Sequence, residues 1–251
     1  MAAATANPER QNGMSQRPIE KVKKMKKTIL TIALLGMSTL AWADSKEAAA
    51  DRLEHAGAVL HEVMAAPDKG IPEEVLDHAK CIAVVPHMVK GGFVFGAEGG
   101  KGVATCRTEN GWSAPAFFTI GGGSWGLQIG VEGIDLVMII QNDHGMQHLL
   151  SSKFQIGGDA SAAAGPVGRH ASADTDWKLN TEILTYSRAK GIFAGLTLNG
   201  QVVSRDDDAM DAMYGAGVST RSVLHGDVPP PPAAMGFLHA VHAAKEQAMA
   251  Q

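Results

Sequence analysis

The chain has 251 residues, 45% of them hydrophobic and 19% charged, with 22 Lys+Arg against 26 Asp+Glu. The first 43 residues hold seven of the bases and two of the acids, so residues 44–251 carry 15 against 24, a formal charge of −9. That acidic balance excludes the basic footprint of a nucleic-acid binder, and the length beyond residue 43 suits one domain with a sizeable core.

Met1 to Lys24 is polar and reads as a misassigned start or a disordered extension. Lys21 to Lys27 then carries five lysines, Thr28 to Leu40 is a mostly apolar run of 13 residues without charge, and Ala41-Trp42-Ala43 supplies a small-x-small pattern. Residues 25–43 therefore read as a secretory signal peptide. The apolar run is shorter than the roughly 20 residues that span a bilayer, which predicts a soluble, exported product, periplasmic or secreted after cleavage near Ala43.

Residues 44–66 form a separate N-terminal segment with an amphipathic helix, because Ala49, Leu53, Ala56, Leu60 and Val63 recur at steps of three and four. Its polar face carries Glu47, Asp51, Glu54 and Glu62 against Lys46 and Arg52. Pro72, followed by Glu73 and Glu74, suits the start of a short second helix. Strands follow at Cys81 to Val85, at about 92–98 and at Val103 to Cys106, with Gly99-Gly100 as a hairpin between the last two. Asn110-Gly111 is a strong hairpin signal leading into Trp112 to Ile120. Leu127 to Glu132 alternates as a half-buried strand, Asp135 to Gln141 is another, and 142–152 is a short helix. Thr181 to Tyr186, Gly191 to Leu198 and Gln201 to Ser204 read as three more strands, the last two joined at Asn199-Gly200. Asp206 to Asp208 caps a helix reaching Tyr214, and Pro229 to Pro232 separates a C-terminal helical segment, 226–251, from the domain at 67–225. The expected fold is α+β: a glycine-rich, mostly antiparallel curled sheet or partial barrel with flanking helices.

Eighteen of the 29 glycines fall between Gly91 and Gly168. Gly121 to Gly126 satisfies both the nucleophile-elbow spacing around Ser124 and a G-x-G-x-x-G spacing, but both chemistries need a helix immediately afterwards and a strand pattern comes next. A glycine corner between strands is the expected reading. No catalytic residue, cofactor or metal is expected. His144 and His148 share a helix face, but the sequence fixes no third ligand; Asp206 to Asp208 lacks the alternation of a calcium loop. Cys81 and Cys106 sit two strands apart in this reading, roughly 9.6 Å, which favours two buried thiols over a disulfide.

One family matches these motifs in order. Pro67-Asp68-Lys69-Gly70-Ile71-Pro72, Ala79-Lys80, Lys90-Gly91-Gly92-Phe93, Trp112-Ser113-x-Pro115-Ala116-Phe117, Gln128-Ile129-Gly130, Asp159-Ala160, Ala164 to Arg169, Tyr186-Ser187-Arg188-x-Lys190-Gly191-x-Phe193-Ala194-Gly195 and Tyr214-Gly215 resemble the SYLF domain over about residues 67–215. The resemblance implies a non-enzymatic module that binds phospholipid or a membrane surface, with protein contacts in the envelope as the alternative. Fungal relatives associate with actin, which is not an expected partner of an exported, bacterial-type chain. Candidate headgroup contacts are bases beside glycine-rich backbone: Lys90 with Gly91 and Gly92, Gly168 with Arg169, and Arg188 with Lys190.

Overall fold

The computed structural model describes residues 45–65, 70–92, 95–125, 130–167, 181–189 and 192–249, all within a compact unit spanning Asp44–Gln251. The extension 1–24, the signal-like segment 25–43, and Gly168, Arg169 and Lys190 lie outside the described residues.

Helix α1 occupies 45–64. The stripe that its spacing predicts is buried: Ala49, Leu53, Ala56, Leu60 and Val63 are all at most 1% exposed, while Glu47, Asp51, Glu54 and Glu62 face solvent. The stripe is docked within the core of the domain. Helix α2, Glu73–Asp77, begins after Pro72 with two acids in its first turn, where the helix dipole favours them.

The sheet has ten strands: β1 (Cys81–Gly92), β2 (Phe95–Thr108), β3 (Gly111–Trp112), β4 (Ala116–Trp125), β5 (Gly130–Ile140), β6 (Lys153–Gln155), β7 (Ala162–Ala164), β8 (Ile183–Ala189), β9 (Ile192–Gly195) and β10 (Val202–Arg205). Their order is β6-β10-β4-β2-β1-β5-β8-β7, with β3 on β2 and β9 on β8, and every pair is antiparallel except β7 with β8. The result is a strongly curled half-barrel, as the α+β reading expects. Between β5 and β6 lies α3 (Asp143–Leu150); after β10 come α4 (Asp207–Tyr214), α5 (Thr220–His225), a 3₁₀ turn at Pro232–Ala234 and α6 (Met235–Met249). The C-terminal helix docks on the domain: Phe237, Val241 and Ala244 are buried, Gly57 of α1 lies against the Phe237 backbone, and Lys245 Nζ reaches Asp77 Oδ1 of α2 at 2.8 Å.

Three turn expectations fail, two because glycine here serves close packing and one because the strands it would join are not neighbours. Gly99 and Gly100 lie inside β2, a single 14-residue strand, and make no hairpin. At Gly102 of the same strand a Cβ would stand 2.4 Å from Phe118 Cζ and 2.8 Å from the Val84 carbonyl oxygen. Gly121 to Gly123 is the interior of β4 and not a corner; a Cβ on Gly122 would come within 3.1 Å of the Gln201 backbone. Asn199-Gly200 does not join two paired strands either, since β9 pairs with β8 whereas β10 inserts between β4 and β6. The Asn110-Gly111 hairpin does form, with Gly111 at φ 115° and Trp112 opposite Arg107.

The uninterrupted β2 overturns the expectation of two thiols. No strand intervenes between Cys81 and Cys106; they face each other across β1 and β2 and form a disulfide with Cα atoms 4.0 Å apart. The neighbouring Arg107 N–H donates to Lys80 O, so the cysteines occupy the closer, non-hydrogen-bonded kind of antiparallel pair.

Both tyrosines of the chain are packed into this core. Tyr186 is fully buried and stacks on Phe193 at 5.5 Å, whereas Tyr214 donates its hydroxyl to Pro115 O at 2.5 Å. Burial pushes both phenols well above their ordinary value. A raised folded-state value means that the folded chain holds its protons where the unfolded chain releases them. Stability is therefore unaffected by these groups below about pH 10 and falls as pH rises above it. An alkaline titration followed at the tyrosinate absorbance should show no phenolate in the folded protein near pH 10, with both groups ionising together on unfolding. Ordinary ionisation of either tyrosine near pH 10, with the fold intact by circular dichroism, would refute the burial assignment.

Candidate functional site

Strand register brings Lys90, Gly91, Gly92 and Arg188, the described candidate headgroup residues, toward one end of the sheet. The last residues of β1 pair with the first of β2 and of β5: Lys90 lies opposite Glu98 and Glu132, Gly91 opposite Ala97 and Val131, and Gly92 opposite Gly96 and Gly130. The start of β2 also pairs with the end of β4, and Asp135 at the middle of β5 pairs with Arg188 near the end of β8. The connections β1–β2, β4–β5 and β8–β9 thus leave from this same end. Their sequences are short: Phe93-Val94, Gly126-Leu127-Gln128-Ile129 and Lys190-Gly191.

Both described bases hold carboxylate partners. Lys90 Nζ stands 3.5 Å from Glu98 Oε2, and the other oxygen of that buried carboxylate accepts from Gln201 Nε2. Arg188 reaches Asp135 Oδ2 with Nη2 at 2.9 Å and Glu62 of α1 with Nη1. Asp135 also accepts the His87 N–H at 3.0 Å. His87 has φ 51° and succeeds Pro86 at the β1 bulge, where register slips between Val85 and Met88. Arg188 therefore ties α1, β5 and the bulge together, a role its sequence neighbourhood does not reveal.

Exposed apolar side chains gather at the same end. Of the large hydrophobic residues that stand exposed among the described residues, Val89 (51%), Val167 (40%) and Ile192 (72%) belong here, whereas Met235 and Met249 lie on α6. Val167 is three residues beyond β7, which runs parallel to β8 and so points the same way.

The other chemistry-bearing motifs are absorbed structurally. Ser124 lies on β4 opposite Gly96, and the next element among the described residues is the strand β5, not the helix that a nucleophile elbow requires. Lys101 of β2 extends to Asp206 Oδ2 at 3.6 Å. Asp206 caps α4 by accepting from Ala209 N and pairs with Arg52 Nη1 at 2.9 Å, which matches the capping reading of the acidic triplet. Sequence reasoning missed the partner: Arg52 sits beside Leu53 on the buried face of α1, and a base beside an apolar stripe was the available signal. Among the described residues, no helix is long and apolar enough to cross a membrane.

Comparison with known proteins agrees with the order of motifs. The family model "Ysc84: Las17-binding protein actin regulator" matches residues 121–244. Over 167 residues, 66% of this chain, the sequence is 34% identical to SH3 domain-containing YSC84-like protein 1 of Rattus norvegicus and 32% identical to that of Homo sapiens. LAS seventeen-binding protein 3 of Saccharomyces cerevisiae is 32% identical over 170 residues. The alignments span about half of the mammalian proteins (49% and 48%) and 37% of the yeast one. These relatives are named for binding or for their domains and not for a catalysed reaction. The chain belongs to the SYLF, or Ysc84, family.

Proposed function

We propose that this protein is a non-enzymatic binding module, exported to an oxidising compartment of the cell envelope, that engages a phospholipid surface through the glycine-rich end of its sheet. The observation that carries the reading is the coincidence there of exposed Val89, Val167 and Ile192 with Lys90 and Arg188. Apolar tips that enter the acyl boundary, flanked by bases at headgroup depth, are the physical requirement for a peripheral membrane contact. Arg169 and Lys190 are adjacent in sequence to that end and complete the basic set. The exposed face of α1 is acidic and turns such a surface away. The Cys81–Cys106 disulfide supports export, because structural disulfides persist in oxidising compartments.

Co-sedimentation of the protein with vesicles of phosphatidylethanolamine and phosphatidylglycerol tests this. Binding is expected at physiological salt. Ile192→Asp should weaken it by roughly tenfold or more, since burying one such side chain is worth about 1.5–3 kcal/mol. Charge reversal at Lys90, Arg169 and Lys190 should weaken it most at low salt. Absence of vesicle binding, or binding indifferent to both changes, would remove the lipid reading.

Protein contacts are the second reading. It is favoured by the relatives' names and by the ion pairs that already occupy Lys90 and Arg188. It predicts a discrete cross-linked adduct and no vesicle binding. The Las17 and actin of the family description belong to those relatives, and an exported chain would use other partners.

A further inference from the structure

We propose that His144, His148 and Glu182 form a binding site for a divalent first-row transition metal of the zinc class. The pattern begins in sequence as two histidines four apart, which α3 places on one face. Their rings are perpendicular with centroids 4.8 Å apart. The third group comes from 34 residues further on, at the entry to β8, and could not be read from spacing.

Gly145, which interrupts the pair, is what lets the carboxylate approach. A Cβ there would meet Glu182 O at 3.1 Å and Glu182 Cβ at 3.2 Å, closer than ordinary contact, so glycine lets α3 rest on this residue without displacing it. Two further contacts fix the arrangement. Asn142 caps α3 by accepting Gly145 N–H at 2.8 Å, and Gln141 N–H donates to Glu182 O at 2.9 Å.

Three candidate ligand atoms converge, all within 4.8 Å of one another. His144 Nδ1 is 2.5 Å from Glu182 Oε1, and His148 Nε2 is 4.0 Å from Glu182 Oε2. Around a tetrahedral zinc, ligand atoms stand roughly 3.4 Å apart. Loading the site therefore needs His144 to withdraw by about 1 Å and His148 to close by about half of that. The His144 side chain is 69% exposed and has room for this motion. His148 Nε2 is the independent pointer to a ligand: it is buried and finds no hydrogen-bond partner among the described residues. A metal would satisfy it. Glu182 Oε2 also accepts the Ser161 N–H at 3.1 Å, the kind of outer contact that orients a ligating carboxylate. Two imidazoles and one carboxylate suit zinc, and also cobalt and nickel, and leave a fourth position open to solvent beside His144. The ion would staple α3 to the start of β8 and, through Ser161, to the approach to β7.

The full chain, stripped with a chelator and dialysed, should take up one equivalent of zinc in a calorimetric titration. With cobalt it should develop visible absorption of tetrahedral intensity, and zinc should raise its melting temperature. His144→Ala and Glu182→Gln should each weaken uptake at least tenfold and abolish the thermal shift, while His242→Ala, on an exposed position of α6, should change neither. His144→Ala alters an exposed side chain, so circular dichroism should show an intact fold. Lack of zinc uptake by the wild-type chain, or uptake of equal strength in His144→Ala and Glu182→Gln, overturns the proposal.

Discussion

Asp206→Ala is expected to cost about 3–5 kcal/mol, a large fraction of the 5–15 kcal/mol that holds a domain together. The Arg52 and Asp206 side chains are 8% and 6% exposed and meet at 2.9 Å, with Lys101 contributing at 3.6 Å. Removing the carboxylate leaves the Arg52 guanidinium buried with no opposite charge among the described residues and with the Phe117 ring at 5.4 Å beside it. The same change removes the cap that accepts Ala209 N–H at 3.3 Å and frees the first turn of α4. Because Arg52 lies on α1 and Asp206 at the junction of β10 and α4, the loss should loosen α1 as a unit. Urea unfolding of the full chain measures the total. Hydrogen exchange should find the added exposure concentrated at 45–64. The double variant Arg52→Met, Asp206→Ser should recover a substantial part of the loss, since a buried pair removed together is far less costly than a charge left alone. A single-variant loss below about 1 kcal/mol would mean that water reaches the pair and that α1 is held by its apolar stripe alone.

Local rules read well where a single segment decides its own structure. The stripe Ala49, Leu53, Ala56, Leu60 has helical period, Asp206 has the short acceptor that an N-cap needs, and Asn110-Gly111 can adopt the positive φ of a tight hairpin. Two of the failures occur where a glycine answers to a distant partner. Gly102 makes room for Phe118, and Gly122 makes room for Gln201, which is 79 residues away in sequence. Nothing within a short window distinguishes such a glycine from one in a turn, and reading Gly99-Gly100 as a turn then displaces Cys106 from Cys81. The sheet order carries the same lesson, because β10 enters between β4 and β6 through long-range pairing alone. At the glycine-rich end, Lys90 and Arg188 are identifiable as bases beside glycines. Their partners Glu98, Asp135 and Glu62 are not, because pairing across strands depends on registers that the β1 bulge shifts by one residue.

Replacing Cys81 and Cys106 together by alanine is expected to lower stability by about 3.5 kcal/mol, the chain-entropy value for a loop of this length. The two residues are 25 apart in sequence, and both are fully buried. The effect should act mainly through the unfolded chain. β1 keeps its ladders to β2 and β5 on either side, so the β1–β2 register and the circular dichroism spectrum should survive the substitution. A reductant should act slowly on the folded protein, because neither sulfur is accessible, and rapidly once urea opens the core. Wild-type protein unfolded in reductant should then show a urea midpoint close to that of the double variant. Thiol titration under denaturing, non-reducing conditions gives the decisive readout: no free thiol in protein recovered from an oxidising compartment, and two after reduction. Two thiols without reduction, in protein recovered from an oxidising compartment, would show that the facing cysteines stay unbridged. It would also remove the structural support for placing the chain in an oxidising environment.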